Sequence, residues 1–295
     1  MSTEQTEKKQ GRISGLLNWI RPYLALFVIV ILGSIIGVGA LLFAYVELTG
    51  SSNDESISDS DSGSGWDASC NIAGLNLHGT LLDYMPPGNE TSPLGEEDVT
   101  GSEDIVAAIN SADANDQVKG ILLEIDSPGG SPVAGEEIAN ALKASNKPSV
   151  AVIRQSGTSA AYWAATGARK IFASRNSDVG SIGVTMSYLE NIYKDKKYVQ
   201  LSSGKYKDTG DPDKPLSDDE RQLLLRDVNI IFENFVADVA TNRGIPADQV
   251  RAIADGSSVL GDKAKSLHLI DEIGSWSQAE DYLQQQIGEK PQVCW

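Results

Sequence analysis

From about residue 71 onward the chain reads as an α/β domain built on a largely parallel sheet, and three observations predict it. Strand-like β-branched runs alternate with helix-like runs, the pattern of strands joined by helical crossovers. The run at 118–125, VKGILLEI, is apolar almost throughout, as a central strand covered on both faces must be. Short turns bearing glycine or proline punctuate the runs, which suits compact strand–helix connections.

Taken in order, residues 72–82 form the first strand, interrupted by Gly79, and residues 86–101 form a loop rich in Pro, Gly and Glu. Residues 103–110 read as helix. The strand at 118–125 runs into a turn, Ser127-Pro128-Gly129-Gly130, and a helix around 135–144 follows with Ile138 and Leu142 inward. A strand at 149–153 leads to Ser159, and further strands are expected at 170–173, 182–186 and 198–201. Ser217 and Glu220 make a capping box. The helix they open carries Leu224, Val228, Ile231, Phe235 and Val239 at spacings of four, three, four and four, which predicts one buried stripe. Arg243-Gly244 and Pro246 end it. Residues 247–286 read as shorter helices with turns at Gly256, Gly261 and Gly274.

Ahead of this domain, residues 1–23 are polar, with Lys8, Lys9, Arg12 and Arg21 against Glu4 and Glu7. Residues 24–46 carry no charge over 23 positions. At 1.5 Å per residue that length crosses a hydrocarbon core of ~30 Å, so a transmembrane helix is expected. It is too long for the apolar core of a cleavable signal peptide. Basic residues before it and acidic ones after it put residues 1–23 in the cytoplasm and the bulk of the chain outside. Residues 47–67, rich in Ser, Asp and Gly from Thr49 on, form a disordered linker. Residues 68–295 are then an extracytoplasmic domain on a single-pass anchor in the cell membrane.

A net charge of −17 argues against a nucleic-acid partner, since phosphate backbones are bound through clustered Lys and Arg. Only two cysteines, Cys70 and Cys294, and two histidines, His78 and His268, are present, without ligand-like spacing. No metal or other cofactor is expected. The cysteines lie at the two ends of the outer domain, on the oxidising side, where a disulfide between them would tie those ends together.

The residues suited to chemistry gather at strand ends. Ser159, in RQSGTSAAYWAA, falls where a strand hands over to a helix, so backbone N–H groups stand beside it for a developing oxyanion. The same residues also suit a plain serine N-cap on a buried helix. Gly129 and Gly130 let backbone come close to a ligand at the carboxyl end of a strand, and they equally suit an ordinary turn. With histidine scarce, the base for a serine would be a lysine held neutral by burial, and Lys205 and Lys207 occupy the polar stretch SSGKYKD. Moving a lysine from ~10.4 to about 7–8 opposes roughly 3–4 kcal/mol of preference for the charged form, which demands an apolar setting.

Four motifs in order, Asp126-Ser127-Pro128-Gly129-Gly130, Thr158-Ser159-Ala160-Ala161-Tyr162, Gly180-Ser181-Ile182-Gly183-Val184 and Ser203-Gly204-Lys205-Tyr206-Lys207-Asp208, resemble the SppA-type signal peptide peptidases. The run from Ile253-Ala254-Asp255-Gly256 to Ile273-Gly274 resembles that family's closing segment. The resemblance implies a Clp protease/crotonase-like fold, the ββα superhelix. It implies a serine protease with a Ser-Lys dyad, Ser159 as nucleophile and Lys207 as general base, with Ser181 supporting the base. The oxyanion hole would be formed by the N–H of Ala160 with one from Gly129 or Gly130. It also implies homo-oligomeric rings in which neighbouring subunits complete each site, and substrates that are signal-peptide remnants and other short hydrophobic peptides. One departure stands out: the family usually has two glycines directly after the nucleophile, where this chain has Ala160 and Ala161. A catalytically silent, membrane-tethered relative that binds peptides or proteins is the alternative those alanines suggest. A crotonase-like acyl-CoA enzyme would share the fold, but it sits poorly with an extracytoplasmic location and the lack of a basic phosphate-binding cluster.

Overall fold

The computed structural model describes residues 70–85, 98–187 and 203–295. The expected membrane segment 24–46, the linker 47–67 and the strand expected at 198–201 lie outside them. Among the described residues no helix is long and apolar enough to cross a membrane.

The strands are β1 (Ile72–Leu82), β2 (Val99–Gly101), β3 (Gly120–Gly130), β4 (Ser149–Thr158), β5 (Lys170–Ala173), β6 (Asp178–Gly180), β7 (Ser258–Leu260), β8 (Glu272–Ile273) and β9 (Val293–Cys294). The helices are α1 (Ser102–Ala114), α2 (Pro132–Ala144), α3 (Ala160–Thr166), α4 (Asp218–Arg243), α5 (Ala247–Ile253), α6 (Gly261–Ser266) and α7 (Trp276–Ile287). One sheet runs β2-β1-β3-β4-β5-β8, with β6 on β4, β7 on β6 and β9 on β1. Every pairing is parallel except β6 with β7.

The pleat sorts alternate residues to two faces. Ala73, Leu75, Ile121, Leu123, Ile125, Ala151 and Ile153 join the larger core beneath the helices of one face. Ile72, Leu122, Val150, Val152 and Phe172 join Ala279 and Leu283 of α7 on the other. That two-sided cover is why 121–123 admits no polar residue. Past the reach of α7 the second face turns polar. There Glu124 on β3 pairs with His78 at 3.2 Å and Arg154 at 2.9 Å.

Three expectations change. β3 continues through Ser127–Gly130 instead of turning: after a register shift at Gly79, whose φ is 65°, β1 still pairs with Gly129 and Gly130. Within the expected loop, Val99–Gly101 takes up the open outer edge of β1 at 80–82. Residues 182–186 are not a strand. Among the described residues only their first member finds a backbone partner, Gly256 donating its N–H to Ile182 O at 3.1 Å.

Cys70 and Cys294 form a disulfide with Cα atoms 5.7 Å apart, beside the pairing of β9 with Ile72 and Ala73.

Candidate active site

Ser159 joins β4 to α3 with φ 52° and ψ −129°, a conformation an L-residue holds only when its surroundings over-determine it, at a cost of order 1–3 kcal/mol. The restraints are visible. Its N–H donates to Gly180 O at 2.8 Å, and its carbonyl accepts from Trp163 N at 3.0 Å. One residue earlier, Thr158 Oγ1 donates to Pro128 O at 3.1 Å, tying β4 to the end of β3. The Ser159 side chain caps no N–H of α3, so the N-cap reading fails. The geometry is that of a strand–turn–helix elbow that lifts a hydroxyl clear of the backbone.

The glycine pair stands against this elbow. A Cβ on Gly129 would lie 2.8 Å from Ser159 Cβ and 2.9 Å from Ala160 N, so only glycine permits the approach. Gly129 gives its N–H to Ser127 Oγ at 3.1 Å, which leaves Gly130 as the better placed donor of the two. Helix α3 is seated equally closely, since a Cβ on Gly135 of α2 would lie 2.5 Å from Ala160 O.

Ser181 also has positive φ, 50°. Its N–H donates to Ser257 O at 3.0 Å and its Oγ to Gly256 O at 2.8 Å, fastening it to the 255–257 turn. Ser159, Ala160, Gly130 and Ser181 all line one cavity of about 660 Å³. Its remaining wall is mostly apolar, from Trp163, Met186, Val228, Ile231, Phe232 and Phe235. Trp163 and Phe235 stack with centroids 4.6 Å apart, and Trp163 Nε1 donates to Asp238 at 3.1 Å. Below them the buried Tyr162 hydroxyl donates to Leu269 O at 2.8 Å, and burial pushes its pKa up.

Lys207 is not among the residues lining the cavity. It sits in a run of turns, exposed, with its N–H on Gly204 O at 3.3 Å, and its side chain makes no hydrogen bond or ion pair among the described residues. Lys205 is paired with Asp219, whose carboxylate raises its pKa, and this disqualifies it as a base. Asp208, beside Lys207 in sequence, is engaged by Lys214 at 2.7 Å. Neither histidine lines the cavity. His78 stands on β1, and His268 follows α6 at φ 62°.

Sequence reasoning missed the wall supplied by α4. The stripe expected to be buried splits: Phe235 and Val239 are buried, whereas Val228 and Ile231 are only partly covered and face the cavity. A mixed sequence on the same turns, with Leu225 and Ile230 exposed, is the one hint the chain offers.

Comparison with known proteins decides the family. The model of peptidase family S49 matches residues 141–290. The chain belongs to peptidase family S49. A model of Clp protease matches residues 94–179, the stretch from the approach to β2 to β6, in keeping with the Clp protease-like α/β fold. Among S49-like relatives, a protein designated a protease in Methanocaldococcus jannaschii is 34% identical over 183 residues, covering 60% of this chain and 59% of that one. One designated signal peptide peptidase SppA in Enterococcus faecium is 28% identical, covering 73% and 63%. Protease 4 of Haemophilus influenzae is 27% identical, covering 74% and 35%. The chain thus spans less than two thirds of the length of each, and the resemblance read from the four motifs is borne out at the level of the family.

Proposed function

We propose that this S49 protein is a membrane-anchored serine endopeptidase that uses Ser159 and Lys207 to degrade signal-peptide remnants and other short apolar peptides. The observation that carries the reading is Ser159 itself, held at φ 52° with no capping role on the wall of a 660 Å³ cavity. In the proposed reaction Ser159 Oγ adds to the scissile carbonyl while its proton passes to the neutral amine of Lys207. The C–N bond then breaks, the proton leaves with the amine, and an ester on Ser159 remains. Water attacks that ester with the same lysine as base, restoring the hydroxyl. The N–H groups of Gly130 and Ala160 would meet the oxyanion, and Ser181 would orient the lysine. Because Lys207 stands exposed and outside the cavity of its own chain, the lysine is supplied by a neighbouring copy in a ring. Contact with that neighbour would strip water from its amine.

The test is hydrolysis of a fluorogenic apolar peptide by the full chain in detergent, beside Ser159→Ala and Lys207→Ala. Each variant should lose at least about 10³-fold in kcat, and mixing the two inactive variants should restore part of the turnover. Unchanged turnover in either variant would remove that residue from the site. Failure to restore activity on mixing would return the lysine to its own chain. A parent that cleaves no peptide would favour the second reading, a silent tethered binder, which the exposed Lys207 also suits.

A further inference from the structure

We infer that Asp255 gives the cavity a charge preference, favouring peptides with a lysine or arginine beside the apolar side chain that fills it and disfavouring those with an acidic residue there. The inference rests on reading the cavity as a peptide site.

The cavity wall is apolar or uncharged at every described position except one, and that one is Asp255. Its carboxylate is held in place. Oδ1 accepts the Ser257 N–H at 2.9 Å and the Ser257 hydroxyl at 2.6 Å, and Oδ2 takes part in neither bond. These two bonds hold the Asp255 carboxyl below the ordinary carboxylate range, so it is an anion at neutral pH. The turn that carries it is fastened to the site, because Gly256 O accepts Ser181 Oγ at 2.8 Å and Gly256 N donates to Ile182 O at 3.1 Å. No lysine or arginine pairs with Asp255 among the described residues; Arg251, four residues earlier, is spent on Glu233. A fixed anion at the rim of an apolar cavity, without a cationic partner among the described residues, attracts a cationic side chain and repels an acidic one. It acts locally, over a distance short enough to survive salt that screens the diffuse field of a chain with net charge −17.

The experiment measures binding, so that it stands apart from turnover. The full chain carrying Ser159→Ala, in neutral detergent at 0.15 M salt, is titrated against labelled peptides that share one apolar core and differ only in a flanking Lys, Gln or Glu. Affinity should fall in that order, by about threefold to fivefold per step. Adding Asp255→Asn, whose amide oxygen can still accept from Ser257, should bring the three within about twofold. Adding Glu280→Gln on α7, which removes a charge outside the cavity, should leave the order intact. Equal affinities in the parent, an order that survives Asp255→Asn, or no binding of any peptide would each overturn the inference. An equal loss for all three peptides in Asp255→Asn would also overturn it, as the mark of a structural or subunit contact. Peptides bound in the expected order but never cleaved when Ser159 is present would sink the peptidase reading and leave the charge preference standing.

Discussion

Ser159 follows a ten-residue strand and opens a seven-residue helix whose residues are all buried, whereas Lys207 sits among turns with its side chain in solvent. The serine is restrained from three directions: Gly180 from β6, the glycine pair of β3, and Gly135 of α2 beneath its helix. Among the described residues nothing comparable surrounds the lysine. On the proposed reading, a single chain therefore specifies the nucleophile and its oxyanion donors, and leaves the base to be placed by something else. On the same reading that something is a second copy, and activity becomes a property of assembly while the elbow is a property of the fold.

Breaking the serine side alone sharpens this contrast, and Gly129→Ala does so most directly. A methyl there collides with Ser159 Cβ and Ala160 N at 2.8 and 2.9 Å, on a residue whose φ is 100°. Peptide turnover should fall at least about 100-fold, with a loss of about 1–3 kcal/mol in urea unfolding. An active, undiminished variant would mean that the elbow and the glycine pair are not one unit.

Arg243→Ala tests whether the body behind the elbow holds it in place. The Arg243 side chain, 6% exposed, bonds Asp271 at 3.0 Å and His268 O at 3.2 Å. Asp271 in turn accepts the N–H of Ile171 on β5 at 2.7 Å. Loss of this pair should cost about 3 kcal/mol, read as a lower urea midpoint. An unmoved midpoint would show that the end of α4 is held by packing alone.

The lysine side should yield to acid instead. Glu220 at the start of α4 is gripped by Lys214 at 2.5 Å and closes the capping box with Ser217. Lys214 first and Ser217 second lower its pKa from 4.5 to about 2. A carboxyl depressed in the folded state contributes its stability in full above the ordinary value and loses it as pH falls toward the folded one. Amide exchange at residues 208–224, corrected for its intrinsic pH dependence, should therefore speed up between pH 4.5 and 2, with no matching change in α3. Glu220→Gln should flatten that dependence; an unaltered profile would locate the acid sensitivity elsewhere.

Much of this was legible in advance where one local cause decides. The strand at 170–173, the capping box at Ser217 and the end of α4 at Gly244 follow from β-branching, a Ser-to-Glu spacing and a left-handed glycine, and all three stand where expected. What failed depended on distant partners. Residues 182–186 look like a strand, but among the described residues no strand pairs with them. Val99–Gly101 looks like loop, but β1 offers it an edge. In the site, the serine and glycine motifs marked their positions, while the wall from α4 and the carboxylate of Asp255 depend on how remote elements dock. The alanines after the serine prove unequal: Ala161 is wholly buried and away from the cavity, and only Ala160 reaches its wall.

The disulfide has a mechanical consequence. Cys70 lies two positions before the start of β1, and Cys294 lies in β9, which pairs with Ile72 and Ala73. A pull on the chain ahead of Cys70 is shared between two neighbouring strands, one reached through the backbone and the other through sulfur. Where such a pull runs along the strands, the hydrogen bonds that join β1 to the sheet are loaded together, in shear, and do not open one at a time. Ser159, which follows β4 two strands away in the sheet, lies outside that pair.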